Sequence, residues 1–227
     1  PLQDVLDDGI DCVVTRYQLE GFYFVEAAPA VSDDDAGKVR LHIQVREGPR
    51  IFLAGAPALE GVMAFPAAEV LEALDLEARP VYAPRLALVL KGKIVDFYRN
   101  RGHLFVDVEV ERKIDREAGE ASLAFKVKEG PPVRVESVRI SGNERTWEWV
   151  IRNRVQLRAG DLYNETRMRE SYRSLLRSGL FSSVSLEAKP LEGDEDGASL
   201  DVNVSEKARF KLSVLAGYGS YELLRGG

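Results

Sequence analysis

Ala121-Ser-Leu-Ala-Phe-Lys-Val-Lys-Glu-Gly-Pro131 places Ala121, Leu123, Phe125 and Val127 at every second position, with Ser122, Ala124 and Lys126 between them. Successive side chains of a β-strand point to opposite faces, so this spacing predicts a strand with one face on a core and the other in water. The run closes in the turn signal Glu129-Gly130-Pro131. Val39, Leu41, Ile43 and Val45 repeat the pattern around Arg40, His42, Gln44 and Arg46, and end in Glu47-Gly48-Pro49. Ala198, Leu200, Val202 and Val204 repeat it around Ser199, Asp201 and Asn203, and end in Glu206-Lys207. Three such strands point to an internal repeat.

Upstream of each strand a glycine closes a helical pattern and opens another extended stretch. The contexts are Gly21-Phe22-Tyr23-Phe24, Gly102-His103-Leu104-Phe105 and Gly179-Leu180-Phe181-Ser182, spaced by 81 and 77 residues. After Gly-Pro comes a first strand, Ile51 to Leu53 in one copy, interrupted by Ala54-Gly-Ala-Pro-Ala58, and Val133 to Ile140 in the other, ending at Gly142-Asn143. A first helix follows. In the later copy Thr146 is placed as its N-cap, with Trp147, Val150, Ile151 and Val155 on one face. Trp147 is expected in the core and Trp149, off that stripe, on the surface. The link to the second helix recurs as Leu76-Glu-Ala-Arg-Pro-Val-Tyr82 and Leu157-Arg-Ala-Gly-Asp-Leu-Tyr163. Pro84 suits the first position of one second helix and Asn164 the cap of the other. Leu86, Leu90, Ile94, Phe97 and Tyr98 form one buried stripe; Met168, Tyr172, Leu175 and Leu176 are expected to form its counterpart, on a helix about one turn shorter.

Each unit reads β-α-α-β-β. The expected divisions are an incomplete repeat at 1–47, full repeats at 48–130 and 131–207, and a tail at 208–227. Residues 2–20 are then already the second helix of repeat one, with Val5, Leu6, Val13 and Tyr17 as its buried set. A half-repeat would expose the apolar underside of its strands, so the chain is expected to continue upstream.

Composition narrows the function classes. A hydrophobic share of 45% and a charged share of 30% are those of a globular protein. No run approaches the roughly 20 consecutive apolar residues of a spanning helix. Residues 1–47 hold ten acidic and four basic groups; 48–130 and 131–207 each hold thirteen and twelve. No part is strongly basic, which disfavours nucleic-acid binding. One cysteine, Cys12, and two histidines, His42 and His103, in unrelated settings do not make a metal or nucleophile site. No Gly-rich phosphate loop or Ser/His/Asp set is present, so no catalytic residue and no cofactor is expected. Asp33-Asp34-Asp35 and Asp194-Glu195-Asp196 read as solvated tips of the hairpin loops rather than cation sites.

A β-α-α-β-β unit of this size resembles the POTRA (polypeptide-transport-associated) domain. So do the V-x-V-x-x-V-x-I-x-G-N pattern at Val133 to Asn143, the Leu-Arg-Ala-Gly-Asp-Leu-Tyr link and the Gly-Leu-Phe entry at Gly179. The likeness covers residues 1–207 and is strongest in repeat three. Beyond it, Phe210, Leu212, Val214, Ala216 and Tyr218 alternate with Lys211, Ser213, Leu215, Gly217 and Gly219, as a transmembrane β-strand requires. A soluble edge strand has the same alternation; its place after the last repeat matches the BamA/TamA type of assembly factor, in which POTRA domains precede a membrane barrel.

The resemblance implies an α+β fold of tandem repeats, each a three-stranded sheet with two helices on one face, followed by the first strand of a barrel. It implies periplasmic repeats on an outer-membrane protein, and partners that are unfolded outer-membrane proteins, periplasmic chaperones or accessory lipoproteins, not nucleic acid. Alternatives within this reading are a two-partner secretion or TamA-like export pore, and a periplasmic or cell-division scaffold. The strand after the glycine is expected at the sheet edge. In repeat two, Val106, Val108 and Val110 would face the core and Asp107, Glu109 and Glu111 water, leaving edge backbone open to an extended peptide. Outward carboxylates are also what an edge needs simply to avoid aggregation. Glu129, Gly130 and Pro131 are expected to form the hinge between repeats two and three.

Overall fold

The computed structural model describes residues 2–33, 39–191 and 194–207. The three alternating segments are strands β2 (Val39–Arg46), β6 (Glu120–Lys128) and β9 (Asp194–Glu206). Each runs antiparallel to the strand before it: β1 (Glu26–Asp33), β5 (Asp107–Asp115) and β8 (Phe181–Leu191). In repeats two and three a first strand joins the other side in parallel. Repeat three uses β7 (Arg134–Ser141). Repeat two uses two short pieces, β3 (Phe52–Leu53) and β4 (Ala58–Glu60), both on β6. The strand therefore resumes after Ala54 to Pro57, a return that the sequence pattern did not extend to.

β6 and β9 are thus central, and they carry the cores. Ala121, Leu123, Phe125 and Val127 are buried beside Val108; Ala198, Leu200, Val202 and Val204 repeat the arrangement. Burial of each larger side chain contributes about 1.5–3 kcal/mol. The helices cover this face. Repeat two has α2 (Ala67–Ala73) and α3 (Pro84–Arg99), and repeat three has α4 (Glu148–Arg152) and α5 (Glu165–Arg177). Pro84 stands at the start of α3, where its missing N–H costs nothing, and buries Ala87, Leu90, Ile94, Phe97 and Tyr98 behind it. Asn164 caps α5 by accepting from the Arg167 N–H. Repeat one contributes α1 (Leu2–Leu19), on which Val13 and Tyr17 are half-buried and Cys12 is exposed.

Gly142 ends β7 with φ +81, and a Cβ there would overlap the Val204 carbonyl oxygen. Gly61 does the same after β4, against Val127. Only glycine lets the chain leave the first strand while pressed against the central one.

Several expectations are corrected. Trp147 is 74% exposed: it is itself the N-cap of α4, with ψ 135°, so it does not share the helical face of buried Ile151. Thr146 caps nothing with its side chain; its backbone N–H donates to Glu206. On α5, Tyr172 and Leu176 are exposed, and the buried set is Met168, Ser171 and Leu175. Ser171 lies in the core because its hydroxyl accepts from the Gln156 N–H and donates to the Arg167 carbonyl. Asp194 to Asp196 open β9 rather than sit in a loop. Asp34, Asp35 and the tail strand at 209–221 lie outside the described residues, as do the side chains of Val5 and Leu6.

Candidate functional site

β5 pairs with β6 over nine residues, Asp107 opposite Lys128 through Asp115 opposite Glu120. Among the described residues no strand pairs with its other side. Val106 precedes the strand and is buried, Val108 is fully buried, and Val110 packs half-buried against the same core. Asp107, Glu109 and Glu111 are exposed on the opposite face. Their charges are matched from the central strand: Lys128 Nζ lies 3.0 Å from Glu109 Oε1, and Lys126 reaches Glu111. The hydrogen bond from Lys128 holds the Glu109 carboxyl below its ordinary range, and the same pairs raise both lysines. The outward face of the hairpin is therefore a ladder of paired charges. The edge itself is backbone.

A different surface lies beside β8. Met168 and Tyr172 of α5 and Val184 and Leu186 of β8 line a cavity of about 370 Å³, rimmed by Glu165, Arg169 and Glu187. The residues that the sequence placed in the core of α5 are in part the wall of this groove.

At the end of β6 the expected hinge residues are bonded within repeat two. The Glu129 carboxylate accepts from the Met63 N–H at 2.8 Å, the Ala64 N–H at 3.0 Å and the Tyr98 hydroxyl at 2.7 Å. Burial works against its charge, but the Ala64 and Met63 amides and the Tyr98 hydroxyl outweigh it and hold the carboxyl below its ordinary range. Tyr98, buried and donating to Glu129, is pushed up. His103 Nδ1 is 2.8 Å from the Gly130 carbonyl oxygen. Glu206 repeats the clamp in repeat three, accepting from the Arg145 and Thr146 amides. The sequence did not reveal this role, yet it held the signal: the glutamate recurs at the end of every alternating strand, while Gly-Pro is absent from the third.

The repeats also interlock. Leu104, on the chain of repeat two, is buried in the core of repeat three with Val133, Ile151 and Phe181. Tyr23 and Phe24, 81 residues before Leu104 and Phe105, pack in the same way on the core of repeat two.

β-α-α-β-β units joined head to tail, the chain of one seated on the core of the next, with edge strands unpaired on their outer sides among the described residues, define a tandem-repeat α+β module. The family model described as POTRA, surface antigen variable number repeat, matches residues 58–130 and 133–207. The chain belongs to the POTRA family. The first match starts at β4, just past the Ala54–Pro57 interruption. Relatives include the outer membrane protein assembly factor BamA of Neorickettsia risticii, 33% identical over 127 residues, 56% of this chain and 17% of that protein. BamA of Neisseria meningitidis is 23% identical over 82% of this chain and 24% of its own length. The chain thus spans about a quarter or less of these relatives. The crystal structure of the Haemophilus influenzae BamA POTRA3-5 region superposes with a TM-score of 0.66 at 20% identity, over 88% of this chain and 80% of that one, a likeness of fold.

Proposed function

We propose that this chain is the periplasmic POTRA region of an outer-membrane assembly factor. It receives unfolded outer-membrane proteins, or holds accessory lipoproteins and chaperones, and passes clients to a membrane barrel that starts within residues 208–227. The divisions at 1–47, 48–130 and 131–207 are its repeats, and it acts by binding, not covalent chemistry. The names of the curated relatives support this reading. The observation that carries it is the open side of β5. Val106 to Val110 offer backbone groups to an extended peptide, while the adjacent carboxylates are already matched by lysines. Capture through backbone bonds tolerates many client sequences.

Titration of isotope-labelled protein with a peptide from an outer-membrane barrel strand tests the site. The amides of 107–111 are expected to shift more than those of 121–128. Proline placed singly at Glu109 and at Val110 samples both N–H directions, and the outward one abolishes binding while the fold survives. Binding that persists through both folded variants removes β5 as the site. The groove between α5 and β8 favours a second reading, in which the client strand adds to β8 with apolar side chains beside Tyr172 and Leu186. Shifts confined to 181–191 select it. Glu129, Gly130 and Pro131 are the pivot about which repeats two and three bend in this function.

A further inference from the structure

Two joints in the chain share one backbone contact. The Ile51 N–H donates to the Gly21 carbonyl at 2.8 Å, and the Val133 N–H to the Gly102 carbonyl at 2.9 Å. Each glycine lies under an aliphatic side chain of the next repeat, Val81 or Leu162, and a Cβ on Gly102 would come within 2.7 Å of Leu162.

Around these contacts the chemistry diverges. The first joint is aromatic: Tyr23 meets Tyr82 at 5.9 Å between ring centroids, and Arg116 lies over the Phe24 ring. The second has only the smaller Leu104 at that place, and adds a polar set between the last turn of α3 and the first turn of α5. Asn100 Oδ1 accepts from the Thr166 N–H at 2.8 Å, and Asn164 Nδ2 donates to the Asn100 carbonyl at 2.8 Å. The Arg169 guanidinium spans both carboxylate oxygens of Asp96, at 2.6 and 3.2 Å. Eighty-one residues earlier stand Leu19, Ala83, Thr15 and Leu88, which cannot form it.

We infer that Asp96, Asn100, Asn164 and Arg169 form a latch that fixes the angle between repeats two and three and keeps the joint at Glu129–Pro131 from bending until it is released. The first-turn amides of a helix have no partner of their own helix, so Thr166 loses its bond when the repeats part. A two-pronged guanidinium–carboxylate contact fixes direction as well as distance. The Val133–Gly102 bond and the Leu104 plug both belong to residues 102–104 of repeat two; the latch adds an attachment between the helices, and two separated attachments fix an angle that one leaves free.

The inference rests in part on the proposed pivot, and the test separates the two. Spin labels at Glu117→Cys and Arg173→Cys, in a Cys12→Ser background of the full chain, report the distance between repeats two and three. Native Cys12 with Glu117→Cys reports repeats one and two. The expected result is a narrow distribution for repeats two and three that becomes at least twofold wider in the Asn100→Ala, Arg169→Met double variant. Arg169→Lys, which keeps the charge but loses the two-pronged contact, widens the distribution less than the double variant does. The distribution for repeats one and two does not respond. An unchanged width in the double variant overturns the latch. Replacing Pro131 and Pro132 by glycine in that variant then tells the cases apart: widening only there leaves the pivot standing without the latch, and no widening removes both.

Discussion

Glu129 and Glu206 close successive repeats alike, each giving one carboxylate to two consecutive amides that precede a first helix. Removing such an acceptor leaves the amides short of a partner, so Glu129→Ala is expected to cost about 1–3 kcal/mol at pH 7 in urea unfolding. Because the native pKa lies below the ordinary 4.5, this contribution is complete above pH 4.5 and is lost as pH falls through the native value. The gap between parent and variant should therefore shrink on acidification below pH 4.5. A gap that stays constant to pH 3 would show that the carboxylate is not its source. Gly142→Ala is expected to destabilise repeat three by at least about 1–3 kcal/mol, the cost of a left-handed backbone before the overlap with Val204 is added. A variant that melts like the parent would mean that the turn had moved.

The alternating strands were legible because a period of two needs only apolar and polar symbols. Position 171 was not. Ser171 is fully buried where repeat two has Leu90, and a pattern that counts apolar residues passes over it. Ser171→Ala should cost about 1–3 kcal/mol, since the Gln156 amide loses its acceptor in a site closed to water. Trp147 is the opposite case: an apolar residue at helical spacing from Ile151 stands one residue before the helix begins. Trp147→Ala should leave the thermal midpoint unchanged, within about 0.5 kcal/mol, as an exposed substitution does. A larger loss would place the ring in the core after all. The two-piece first strand of repeat two was half legible, since Gly55 and Pro57 mark the break and nothing marks the return. For the proposed binding edge, the inward and outward sides of residues 106–111 followed from alternation, while the lysine partners required the register of β6.

At the scale of the whole molecule, the self-similarity of the chain gave the order of elements in every repeat but not the ownership of side chains. Spacing aligns Leu104 with Phe181, yet Phe181 serves its own sheet and Leu104 the neighbour's. Leu104→Ala is expected to remove about 2–5 kcal/mol from repeat three, where the cavity forms. Hydrogen exchange should then accelerate in β7, α4 and α5 and stay slow in β5 and β6. Loss of protection in repeat two instead would contradict the seating of this residue.

The interlock also sets what can be cut and pasted. A gene segment duplicated or grafted at the Glu-Gly-Pro boundaries would carry away a plug that belongs in someone else's socket. The transplanted repeat would arrive with Leu104 unhoused and with the gap for Tyr23 and Phe24 unfilled. The portable cassette is offset from the repeat: it includes the glycine and the two or three residues after it from the preceding unit, and leaves its own behind for the next. Shuffling of such arms among relatives should succeed at junctions that keep each plug with its socket, and fail at the boundaries that the strands make obvious.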